Sequence, residues 1–236
     1  MTSAVNPSYV HGTGTTPLLA DTIGAALNTA AARWADRDAL ISCHQQLRYS
    51  YAQLRHEADR VARALMALGV QRGDRVGIWS PNRAEWVITQ YAAAKAGAIL
   101  VNINPAYRVR ELEYALVQSG VSVLIASRAF RATDYVEMLL GLIPQLGTTP
   151  PGRPLAAEQT PALRQVVYLG TDARPGGLAW SDLPALAGVC GELARRVAAE
   201  VERLATDLPR RVSRQHLGSV DDGAAADLEL LHPLDL

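Results

Sequence analysis

Between Gly69 and Tyr107 the sequence reads strand, helix, strand, and no other stretch restricts the fold as much. Arg75 to Trp79 is a short apolar run that Pro81 and Asn82 break, Arg83 to Ala96 carries helical spacing, and Ala98 to Ile103 is a second apolar run stopped by Pro105. A parallel pair cannot be closed by a tight turn, so apolar runs on either side of a helix predict parallel strands joined by a crossover. Both faces of such strands are expected to be covered.

The flanking sequence extends the pattern. Ile23, Leu27, Ala30, Ala31 and Trp34 share one face of a helix over Thr22 to Trp34. Ala39 to Ser42 and Leu47 to Tyr49 predict a hairpin turning at His44, Gln45 and Gln46. Ser50 followed three residues later by Gln53 is a capping box, in which each side chain satisfies the other's backbone N–H. The helix it opens carries Leu54, Ala58, Val61, Ala62, Leu65 and Leu68 on one side, and Gly69 supplies a left-handed end. Further on, Arg108 to Ser119 predicts a helix with Leu112, Ala115 and Leu116 inward, and Val121 to Ala126 a buried strand. Arg131 to Leu142 predicts another helix, Gly147 to Pro161 a loop and Arg164 to Leu169 a strand. Strand and helix thus alternate at least three times, which predicts an α/β fold with a largely parallel sheet flanked by helices.

Composition narrows the function classes. Of 236 residues, 49% are apolar and 19% charged, enough for one sizeable cored domain. Lysine plus arginine balance aspartate plus glutamate, 23 against 23, so no global field draws the chain to nucleic acid. Cys43 and Cys190 stand far apart without metal-ligand spacing and read as two reduced thiols. The N-terminus lacks a basic start followed by an apolar core, and Gln90 and Lys95 interrupt the longest apolar stretch, so a cytoplasmic location is expected. His11-Gly12-Thr13-Gly14 has no strand before it, and the turn Ser80-Pro81-Asn82-Arg83 has no glycine, which argues against a dinucleotide-binding oxidoreductase. His44 and His56 have no partner identifiable in the sequence and read as solvated side chains.

Gly73-Asp74-Arg75-Val76, the Asn82 to Trp86 step, the Ala93 to Gly97 turn and Val101-Asn102-Ile103-Asn104-Pro105, continued through Arg108 to Gly120, resemble the N-terminal region of AMP-forming acyl-CoA synthetases. These belong to the adenylating superfamily that includes the fatty acyl-CoA ligases. The resemblance runs from about Asp21 to about Leu183. It implies a fold, the N-terminal subdomain of an adenylating enzyme, and an activity: a fatty acid or other carboxylate is joined to AMP at the expense of ATP, then passed to coenzyme A. The expected cofactors are ATP, Mg2+ and coenzyme A. The segment around Val101 to Tyr107 looks most like members acting on medium or long chains. The matching segments serve in the family mainly as support, so the resemblance assigns no catalytic, cofactor-binding or metal residue. Arg83, Glu85, Asn104 and Arg108 are the polar members singled out, against the plainer alternative of caps, turns and surface pairs. Trp86 is expected in the core.

Adenylation also needs a cradle of backbone N–H groups and a lysine against the departing pyrophosphate. The family supplies it with a Ser/Thr/Gly-rich loop ending in Lys-Gly. Here Lys95 is the only lysine, and no segment after Gly170 has that composition. From about Cys190 the text changes: Glu192 to Leu204 would make an amphipathic helix, and Pro209 to Leu236, with Arg210, Arg211 and Arg214 ahead of Asp221, Asp222, Asp227 and Glu229, has weak periodicity. The expected organisation is therefore an irregular arm over 1–20, a partial AMP-binding-type α/β subdomain over 21–189, and a helical or poorly ordered tail over 190–236 unlike the family. Two functions follow: a truncated fatty acyl-CoA synthetase inactive by itself, or a non-catalytic remnant or subunit that docks on a partner supplying the missing half; an exposed sheet edge would favour self-association or such a partner. A frameshift or altered gene end is the expected origin of the abrupt change. Reading the coding DNA in its other two frames should then restore a Ser/Thr/Gly-rich loop ending in Lys-Gly; its absence from both frames would refute the frameshift.

Overall fold

A computed structural model describes residues 21–172 and 174–188; the expected arm over 1–20 and the tail over 190–236 lie outside the described residues. In chain order the elements are α1 (Ile23–Arg33), β1 (Asp38–Ser42), β2 (Leu47–Ser50), α2 (Tyr51–Ala67), β3 (Arg75–Trp79), α3 (Ala84–Lys95), β4 (Ile99–Ile103), α4 (Val109–Ser119), β5 (Val121–Ala126), β6 (Ala129–Phe130), β7 (Thr133–Asp134), α5 (Tyr135–Leu142), β8 (Gln165–Tyr168) and β9 (Leu178–Ala179). Strands β4-β3-β5-β8-β9 form one sheet in that order, every pair parallel. The hairpins β1–β2 and β6–β7 are separate antiparallel pairs.

The sheet lies between two apolar cores. Val76 and Ile78 of β3 and Val123 and Ile125 of β5 point into one, where Leu54, Ala58, Val61 and Leu65 of α2 and Ile88 and Ala92 of α3 cover them. Trp79, Leu124 and Ala126 point into the other, beneath Leu112 and Leu116 of α4 and Leu139 of α5. All six residues of β5 are buried, which is why its sequence is an unbroken apolar-and-small run rather than an alternation.

Local chemistry sets the boundaries. Thr22 Oγ1 accepts from Ala25 N at 3.2 Å to start α1. Ser50 and Gln53 make the capping box of α2, with Gln53 N donating to Ser50 Oγ at 3.3 Å and Ser50 N to Gln53 Oε1 at 2.8 Å. Gly120, at φ 63°, ends α4 in the left-handed region that a side chain disfavours.

Three expectations need correction. The helix read over Arg131 to Leu142 begins only at Tyr135, because Arg131 sits at φ 54° and Asp134 caps the helix, accepting from Val136 N at 2.8 Å and Glu137 N at 3.1 Å; the residues before it form β6–β7. Gly177 to Leu183, which lies beyond the last strand expected from the sequence, supplies a fifth strand through Leu178 and Ala179. Gly177 permits this approach, since a Cβ there would stand 2.3 Å from the Tyr168 ring. Finally, β4 is an edge strand, covered on its two faces only in part, with Ile99 and Asn102 exposed.

Trp86 is half-buried and packs against the first core from its rim, whereas Trp79 is fully buried. The Trp79 ring stacks on Tyr135 with centroids 3.5 Å apart and planes 4° from parallel, and its Nε1–H donates to the Asn104 carbonyl at 3.1 Å. Trp79→Ala should therefore cost about 3–5 kcal/mol of unfolding free energy in urea titrations, and Trp86→Ala distinctly less. Equal losses would show that the two tryptophans share the same degree of burial.

Candidate functional site

In an open parallel sheet, ligands meet the protein outside the carboxyl ends of the strands, where neighbouring connections leave in opposite directions. In this sheet that point lies between β3 and β5, because the connection from β3 runs to β4 on one side and the connection from β5 runs to β8 on the other. The side chains there are Ser80 and Ser127, both buried, with their hydroxyls 2.7 Å apart. Ser80 Oγ–H donates to the Pro81 carbonyl at 2.8 Å, so Ser127 is the donor in the pair. The switch point is thus closed by the protein's own hydrogen bonds.

The first turn of α3 is closed as well. Gln45, in the 3-10 turn of the β1–β2 hairpin, accepts from Ala84 N at 2.7 Å through Oε1 and donates to Glu85 Oε2 at 2.8 Å through Nε2. Ser42 Oγ–H donates to the same Gln45 oxygen at 2.7 Å. Arg83 Nη2 lies 3.0 Å from Glu85 Oε1 and completes the cluster. One glutamine thereby caps a helix 39 residues away in sequence and ties the hairpin to the turn that follows β3.

Burial by itself would raise the Glu85 pKa, but the hydrogen bonds from Arg83, the backbone and Gln45, with the Arg83 charge, outweigh it and hold the carboxyl below its ordinary value of 4.5. Asp74, at the opposite end of β3, is also lowered, first by the Gln71 N–H and then by Arg164 Nη2 at 2.8 Å. Burial pushes the Tyr135 hydroxyl up to about 12, and that hydroxyl donates to the Pro105 carbonyl at 2.5 Å.

The four singled-out residues divide between two places. Arg83 and Glu85 meet in the Gln45 cluster. Asn104 shapes the turn after β4, its Oδ1 accepting from Ala106 N at 2.9 Å. Arg108 precedes α4, with its N–H donating to Glu111 Oε2 at 3.1 Å and its Nη1 to Thr133 Oγ1 at 3.0 Å. Caps, turns and pairs account for all four. Cys43 and His56 are exposed, and His44 Nδ1 lies 3.4 Å from Ser42 Oγ; Cys190 lies outside the described residues. Gln45, Ser80 and Ser127 were not among the sequence candidates, since their roles depend on strand order and on a contact between distant segments. Among the described residues no group of three His, Cys, Asp or Glu could hold a metal ion, and no helix is long and apolar enough to cross a membrane.

Lys95 ends α3 with its Nζ 2.6 Å from Asp59 Oδ1 on α2 and 2.5 Å from Asn28 Oδ1 on α1. The one lysine of the chain thus fastens three helices together.

The sequence profile of the family described as "AMP-binding enzyme" matches residues 27–175. The chain belongs to the AMP-binding enzyme family. Among its relatives in that family is the mouse protein named medium-chain acyl-CoA ligase ACSF2, mitochondrial, 37% identical over 194 residues, 80% of this chain and 31% of the relative. The zebrafish protein of that name is 37% identical over 177 residues, 75% of this chain and 29% of the relative. The chain spans about a third of the length of these AMP-binding relatives. Among solved structures, the anthranilate CoA ligase AuaEII in complex with anthranoyl-AMP matches 70% of the chain and 28% of its own at 27% identity and a TM-score of 0.56. The N-terminal domain of FACL13 from Mycobacterium tuberculosis matches 71% of the chain and 36% of its own at 25% identity and a TM-score of 0.53.

Because Glu85 titrates lower in the folded chain than its ordinary value, its stabilisation is present above about pH 4.5 and is lost as pH falls through the lower folded value. Glu85→Gln should thus cost roughly 1–3 kcal/mol at pH 7, with the gap from wild type closing as pH falls below about 4.5 in thermal melts. A gap that stays constant below that pH would mean that the Glu85 charge does not contribute.

Proposed function

We propose that this chain is the N-terminal support of a fatty acyl-CoA ligase and that its 236 residues alone do not catalyse the reaction. In that reaction a carboxylate oxygen attacks the α-phosphorus of ATP, pyrophosphate leaves, and the thiol of coenzyme A then displaces AMP from the acyl-AMP. The family membership supports the reaction class, and the acyl-CoA ligase names of the relatives support the acyl substrate. A medium- or long-chain fatty acid is the acid we assign. ATP, Mg2+ and coenzyme A are the cofactors of the whole protein.

The observation that carries the proposed inactivity is the engagement of Lys95. The developing charge on pyrophosphate needs cationic and N–H donors aimed at it. The single lysine here is held by Asp59 and Asn28, and the first N–H of α3 is held by Gln45. Those donors, the carboxylate pocket and the coenzyme A channel belong to polypeptide outside the described residues.

Calorimetric titration of the purified chain with ATP and Mg2+, with and without a fatty acid, should release no heat of binding. Saturable binding would overturn the proposal and place a nucleotide site in the C-terminal third of the sequence.

A further inference from the structure

We draw no further inference here: the strongest candidate, the open groove of about 460 Å³ between the outer edge of β4 and the exposed face of α4, lined by Val101, Tyr107, Arg110 and Tyr114 among others, carries none, because nothing in the structure shows what covers it.

Discussion

Everything in this domain follows from the need to take β3 and β5 out of water on both faces at once. Parallel strands joined through helices have no short closure, and each returning helix is committed to one side of the sheet. Two helices, α2 and α3, bury Val76, Ile78, Val123 and Ile125; two others, α4 and α5, bury Leu124, Ala126 and Trp79. Neither core could persist without the other, since stripping either layer would expose the complete apolar face of a strand whose other face is already buried. The polar interactions are arranged around that constraint at the ends of the strands, where backbone groups leave the ladder and need partners.

The turn after β3 shows how those ends are fixed. Gln45 comes from a hairpin outside the main sheet, yet it supplies both an acceptor to Ala84 N and a donor to Glu85. The hairpin is therefore a brace for the βα turn, and its position is transmitted to α3 through a single amide group. Trp79 plays the same part on the other core, where its indole N–H reaches the Asn104 carbonyl and its ring lies on Tyr135, whose hydroxyl holds the Pro105 carbonyl. The turn following β3 is thus held by the hairpin, and the turn following β4 by Trp79 and Tyr135.

Most of the fold was legible in the sequence because its signals are local. The apolar run of β5, the Ser50–Gln53 capping box and Gly120 each carry their own meaning within a few residues, and all three are found where they were expected. The failures came where a non-local neighbour decides. Strand β9 exists because Gly177 lets it lie against the Tyr168 ring, and β4 is open because later strands add elsewhere, neither of which is written near those residues. Of the candidate site, Arg83 and Glu85 were visible as polar residues beside a strand end, while Gln45 looked like any turn residue; nothing within three or four positions of it announces a partner 39 residues away. The family resemblance, carried by many short segments at once, reached further than any single motif could.

The position of Lys95 has a consequence for covalent chemistry on this chain. Acetylation, ubiquitin transfer and amine-directed labelling all require a free ε-amine, and this sequence presents one such group, with only 11% of its side chain accessible and its nitrogen shared between Asp59 and Asn28. The remaining positive charge is carried by guanidinium groups, which such reagents do not take and which keep their protons well into alkaline solution. Apart from its α-amino terminus, the protein is close to inert toward the commonest side-chain acylations, and any lysine modification would report that the junction of α1, α2 and α3 had come open.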